Sequence, residues 1–129
     1  NAKKYGIDDK LFAENDIHIH VPEGAVPKDG PSAGVAITTA IISCLTHTPV
    51  DNNVAMTGEV TLRGMALPIG GLREKSLAAL RSGIKTIIVP EENKKDVSEL
   101  PDEVKNALKI VFMANVDDAV KVALLPKQA

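Results

Sequence analysis

Hydrophobic positions along this chain fall into short blocks whose spacing changes repeatedly. Asn1 to Tyr5 is polar and Gly6 reads as a helix stop, so the first residues are expected to be the tail of a helix. Ile17-His18-Ile19-His20-Val21 alternates with period two, which predicts a half-buried strand with Ile17, Ile19 and Val21 toward the core and both histidines on the other face. A largely apolar run from Val35 to Leu45 contains no breaker. It predicts a helix from Ser32 to about His47, packed on more than one side because apolar positions cover most of its circumference.

Val54 to Pro68 has strand composition interrupted by Gly58 and Gly64, which predicts two or three short strands with a hairpin turn around Arg63-Gly64. Helix spacing returns from Leu72 to Ser82, closed by Gly83. Thr86 to Val89 predicts a short buried strand ended by Pro90, and Glu91-Glu92-Asn93 opens another helix with acidic residues at its positive end. Pro101 starts a short helical turn, Lys109 to Met113 a strand, and Val116 to Leu125 a last amphipathic helix. Strands and helices alternate without regular Rossmann units, so the expected fold is one compact two-layer α/β domain.

Composition sharpens this picture by exclusion. The chain has 129 residues, 44% of them hydrophobic but only 2% aromatic, with no Trp and a net charge of −2. It lacks the stacking platforms and the basic footprint of nucleic-acid binders. No stretch approaches the roughly 18 apolar residues of a membrane span. The single cysteine, Cys44, has no internal disulfide partner and is expected to be a small buried hydrophobe. The chain begins at Asn1, which suggests a piece excised from something longer.

Candidate chemistry gathers at the start of the long helix. Val26 to Gly34 holds two prolines and two glycines in Pro27-Lys28-Asp29-Gly30-Pro31-Ser32-Ala33-Gly34, a stiff loop feeding directly into the helix. Ser32 at that junction has two readings. It could cap the helix, or it could be a nucleophile, since unpaired backbone N–H groups there would stabilise a developing oxyanion. A serine nucleophile needs a neighbouring base. His18 or His20 with Asp29 could in principle form a triad, although strand alternation gives no reason for them to converge on Ser32. Surface or interface histidines are the simpler reading, since a His-x-His pair needs a further ligand to hold a metal. A lysine could act instead if desolvation held it neutral, a fall of about two to three units from its reference pKa. Lys75, in the first turns of the Leu72–Ser82 helix, fits that role, but spacing alone does not separate it from Lys28 or Lys85.

The eight residues Pro27 to Gly34 resemble the PKDGPSAG signature around the active serine of the Lon family of ATP-dependent proteases. Leu67-Pro68-Ile69-Gly70-Gly71-Leu72-Arg73-Glu74-Lys75 is similar to that family's second signature, and Met56 to Gly64 to its MTGE-x-TLRG stretch. The likeness runs from the strand near His18 to the last helix. It implies the α/β (α+β) fold of the Lon proteolytic domain, related to the second domain of ribosomal protein S5, over residues 1–129, with the domain's N-terminal part clipped. It also implies a serine endopeptidase in which Ser32 is the nucleophile and Lys75 the general base. Thr57 would orient the Lys75 amine, and Asp29 would latch the loop in inactive conformations.

No G-x-x-x-x-G-K-[ST] phosphate loop is present. The resemblance therefore places ATP and Mg²⁺ in a separate AAA+ module, and this chain is expected to bind no cofactor or metal. Expected partners are unfolded or degron-bearing polypeptides, that AAA+ module, and further copies in a hexameric ring, with no membrane or nucleic acid. A bacterial-type cytoplasm is the expected location, the mitochondrial matrix the alternative. Two other functions remain open at this point. One is a phosphate-binding, kinase-like module using the Gly- and Pro-bearing loop, and the other is a catalytically idle domain that only builds the ring.

Overall fold

The computed structural model describes residues 1–20 and 31–125. A 3₁₀ turn at Ala2–Tyr5 ends on Gly6 in the left-handed region, followed by the short helix α1 (Lys10–Glu14). After the 3₁₀ turn Pro31–Ala33 come helix α2 (Gly34–Thr46) and strands β1 (Val54–Met56), β2 (Glu59–Val60) and β3 (Ala66–Leu67). Helix α3 (Leu72–Arg81), β4 (Thr86–Pro90), helices α4 (Lys94–Ser98) and α5 (Asp102–Ala107), β5 (Lys109–Met113) and α6 (Val116–Ala123) complete the described order.

Strands β1, β4 and β5 form a parallel sheet in the order β1-β4-β5, while β2 and β3 pair as a separate antiparallel ribbon. β4 lies at the centre, and its continuous apolar run follows from burial on both faces. Ile88 packs on one face with Val35 of α2, Met113 of β5 and Val116, Ala119 and Ala123 of α6. Its neighbours Ile87 and Val89 point the other way, into a second cluster with Leu72 and Ala79 of α3, Leu100, and Val104 and Leu108. Each such fully buried aliphatic side chain contributes about 1.5–3 kcal/mol relative to exposure. The α/β class expected from the sequence is the one observed. Helices lie on both faces of the parallel sheet, α2 and α6 on one and α3 to α5 on the other, so the expected two layers are corrected to three, because β4 is apolar on both faces.

Most predicted elements sit within a residue or two of their observed bounds. The α2 helix ends at Thr46, with His47 in the left-handed region, and the hairpin turn carries Gly64 at φ 84°. Three further expectations need correction. Residues 15–20 form no strand, and Ile17 and Ile19 are 48% and 53% exposed rather than core-facing. Period-two alternation specifies which side chains share a face, but a strand also needs a hydrogen-bonded neighbour, and among the described residues this segment has none. Cys44 is exposed, because α2 buries only Val35, Thr39 and Ile42 fully and leaves the side bearing Cys44 open. The last helix stops at Ala123, since Leu124 bridges instead to Val50. Val21 and the loop Pro22 to Gly30 lie outside the described residues.

Two positions predict stability changes. A Cβ on Gly58 would stand 2.7 Å from Met113 Cε and 2.9 Å from Val35 Cγ2, inside the core of the α2–α6 face. Gly58→Ala should therefore lose about 1–3 kcal/mol in urea unfolding, as overpacked cores do; unchanged stability would show that the core relaxes freely. Ser76 is buried on α3, and its hydroxyl has no hydrogen-bond partner among the described residues. Removing an unpaired buried hydroxyl in favour of the best helix former should stabilise, so Ser76→Ala is expected to gain about 1 kcal/mol. A lower melting temperature for that variant would contradict this account.

Candidate active site

Ser32 lies in the 3₁₀ turn that runs into α2 and is half-buried. It is not the helix cap: Ala33 occupies the N-cap position, and among the described residues no side chain accepts a capping hydrogen bond there. What fixes the turn is backbone pairing with the end of β1. The Gly58 N–H donates to the Ser32 carbonyl at 2.9 Å, and the Val35 N–H donates to the Gly58 carbonyl at 3.0 Å. Gly34 allows an equally close approach by β2, since a Cβ there would meet Val60 N at 3.1 Å. Three segments thus converge with no side-chain bulk between their backbones.

Thr57, between Met56 of β1 and Gly58, is 5% exposed. Its N–H donates to the Ile88 carbonyl at 3.1 Å, which extends the β1–β4 pairing by one residue and holds the side chain in place. Lys75 comes from the other side of the sheet. It sits in the first turn of α3, where its N–H donates to the Gly71 carbonyl at 3.1 Å; Gly71, at φ 71°, starts the helix. The half-buried Lys75 side chain brings Nζ to 2.7 Å from Ser32 Oγ and donates to Thr57 Oγ1 at 3.1 Å. Residues 18 and 43 positions apart from Lys75 in the chain therefore meet at one amine.

The structure brings Ser32, Thr57 and Lys75 together. The competing bases are placed otherwise. His18 and His20 are exposed on the segment 15–20, beside the open face of α2, and Lys85 is exposed after α3. Lys28 and Asp29 lie outside the described residues. Sequence reasoning overlooked Gly58, although a glycine inside a strand-like run marks close backbone approach. It also passed over Asn93, whose side chain reaches Ile69 across 24 residues of chain. It missed the cap of α6 as well, where Asn115 and Asp118 satisfy each other's backbone N–H groups in a capping box.

Chemically, a serine hydroxyl, an amine and a second hydroxyl in hydrogen-bond contact form a proton-transfer unit at the start of a helix. The site lies off the carboxyl end of parallel strand β1, where open α/β sheets commonly bind their ligands.

Comparison with known proteins shows the family. The family model described as the Lon protease (S16) C-terminal proteolytic domain matches residues 1–126. The chain is 60% identical over 128 residues to the Lon protease of Desulfatibacillum aliphaticivorans, covering 99% of this chain and 16% of that protein. It is 59% identical to the Lon protease of Chloroflexus aggregans, over 95% of this chain and 15% of that protein. With the Lon protease of Azorhizobium caulinodans the identity is 61%, over 94% of this chain and 14% of that protein. The chain thus spans about one-sixth of the length of these relatives. With the family model matched over residues 1–126 and relatives about 60% identical along nearly the whole chain, this chain belongs to the Lon protease C-terminal proteolytic domain family.

Proposed function

We propose that this chain is a serine endopeptidase domain working through a Ser32–Lys75 dyad and an acyl-enzyme. The observation that carries this reading is the 2.7 Å contact between Lys75 Nζ and Ser32 Oγ, with Thr57 as the amine's second partner. A neutral lysine amine has two N–H bonds and one lone pair. With one N–H donated to Thr57 Oγ1, the lone pair is free to face the serine hydroxyl. Lys75 then takes the Ser32 proton as Oγ attacks the scissile carbonyl. Backbone N–H groups at the helix start stabilise the tetrahedral oxyanion. Protonated Lys75 next gives its proton to the departing amine, and water attacks the acyl-serine with Lys75 again as base.

On this reading the wider protein is an ATP-dependent quality-control protease that degrades unfolded or degron-bearing polypeptides. ATP and Mg²⁺ serve a AAA+ module outside this chain, the working assembly is a hexameric ring, and Asp29 acts on the loop rather than in the chemistry. The kinase-like alternative leaves the Lys75–Ser32–Thr57 contact without a purpose.

A peptidyl phosphonate that labels nucleophilic serines, followed by peptide mapping, tests the dyad, with peptide cleavage measured alongside. Ser32→Ala and Lys75→Ala should each cost at least about 10³-fold in cleavage and labelling while the melting temperature stays near that of the parent. Lys75→Arg should be equally inactive, because a guanidinium is not deprotonated in proteins. Normal turnover by Lys75→Ala would remove the dyad. Thr57→Val, which keeps the shape and deletes the hydroxyl, should lower kcat roughly tenfold, less than the ~10²–10⁴-fold a general acid–base group itself supplies, because the threonine only orients the base. Thr57→Ser should restore most of that loss, and wild-type kinetics in the valine variant would end the orienting role.

A further inference from the structure

Asn93 closes the 3₁₀ turn Glu91–Asn93 between β4 and α4, and it is 1% exposed. Its side chain binds the chain just before α3. Oδ1 accepts the Ile69 N–H at 3.0 Å, and Nδ2 donates to the Ile69 carbonyl at 2.9 Å. Nδ2 also donates to Asp96 Oδ2 at 2.7 Å, which fixes the end of the amide that must be the donor. The side chain thus pairs with both polar groups of a single residue, as an adjacent strand would.

The two glycines after Ile69 make this pairing consequential. Gly70 and Gly71 are both exposed, and among the described residues a Cβ built on Gly70 would touch nothing within 4 Å. Two glycines form the least stiff link the backbone allows. The link itself therefore supplies little to hold the start of α3. Two anchors flank it: Leu72, 3% exposed in the core, and the Asn93 clamp on Ile69. Leu72 fixes the helix against the sheet, and burial of an aliphatic side chain is not directional. Hydrogen bonds to both Ile69 groups are directional, and they set the path by which the chain enters the helix. Lys75 lies one turn further on, with its N–H on the Gly71 carbonyl.

We propose that Asn93 is a positioning residue for the Lys75 amine. By clamping Ile69 it holds the first turn of α3 at the height where Nζ reaches Ser32 and Thr57 together. The proposal rests on the Ser–Lys reading above. Misplacing a reacting group by about 1 Å can cost 10²-fold in rate, so loosening this entry should show in the chemistry before it shows in binding.

The test uses the whole chain with the peptidyl phosphonate probe, reading the maximal labelling rate and the half-saturating concentration separately. Thermal unfolding and amide hydrogen exchange are followed in parallel. Asn93→Leu should lower the maximal rate at least about tenfold, leave the half-saturating concentration within about twofold, and speed exchange over residues 69–75. Asn93→Asp keeps the acceptor but sets a carboxylate oxygen against Asp96 and the Ile69 carbonyl, so it should lose at least as much rate as the leucine variant. Should the leucine variant fail to fold, Asp96→Ala replaces it. Asp96 is exposed and only steadies the amide, and its loss should lower the maximal rate about two- to threefold at an unchanged melting temperature. Val104→Ala is the control for general loosening, because Val104 lies in the core cluster against which Ile69 packs but takes no part in the hydrogen bonds to Ile69. It should lower stability while leaving the maximal rate within about twofold of the parent.

Unchanged exchange over residues 69–75 in the Asn93 variants would overturn the clamp. Faster exchange with unchanged labelling would overturn its role in positioning Lys75, as would an equal rate loss in Val104→Ala. Absence of labelling in the parent, or parent-like labelling in Lys75→Ala, would overturn the Ser–Lys reading and the positioning role with it.

Discussion

The close approach of three backbones around Gly58 is the constraint on which the site depends. Gly58 exchanges hydrogen bonds with Ser32 and Val35, and its α-carbon lies so near Met113 and Val35 that a single methyl group would overlap both. The same residue therefore joins the start of α2 to the end of β1 and seals the core beneath them. Because Thr57 immediately precedes it, the threonine hydroxyl and the Ser32 turn are placed by one set of contacts. Hydrogen bonds between backbones tolerate little displacement, so the relative position of these two hydroxyls is built into the fold rather than into side-chain rotamers.

Lys75 reaches that junction from the opposite side of the sheet. α2 packs on one face and α3 on the other, and among the described residues they share no core cluster. Their functional side chains meet only because both helix starts lie near the carboxyl end of β1. This division gives the site two supports. One half is held by the rigid Gly58 pairing, the other by a helix entered through Gly70-Gly71 and steadied by Leu72 and Asn93. The lysine half has the softer support, and small changes in the path of the chain before α3 are carried directly to the amine.

Much of this was legible beforehand, for identifiable reasons. The α2 and α3 helices follow from local periodicity ended by His47 in one case and Gly83 in the other, and both of those residues adopt the left-handed backbone that stops a helix. The apolar run of β4 indicated a strand buried on both faces. The Ile17–Val21 pattern misled because alternation records an amphipathic intention without naming the partner strand that would fulfil it. Cys44 misled because an apolar helix circumference does not say which sides are covered. Asn93 was invisible as anything but a helix opener, since its partners are chosen by where α3 and α4 come to lie.

The sequence by itself determined most of the elements, because those depend on local spacing and residue type, and its resemblance to a known family singled out Ser32, Thr57 and Lys75, which spacing alone did not choose. Only the tertiary structure decided that a lysine 43 positions from the serine lies 2.7 Å from its oxygen. It also decided that Ser32 spends its hydroxyl on that amine instead of capping α2, where Ala33 holds the cap. The physical reason is that both outcomes are set by the packing of two helices against opposite faces of one sheet. That packing is a sum of long-range contacts, and no window of the chain contains it.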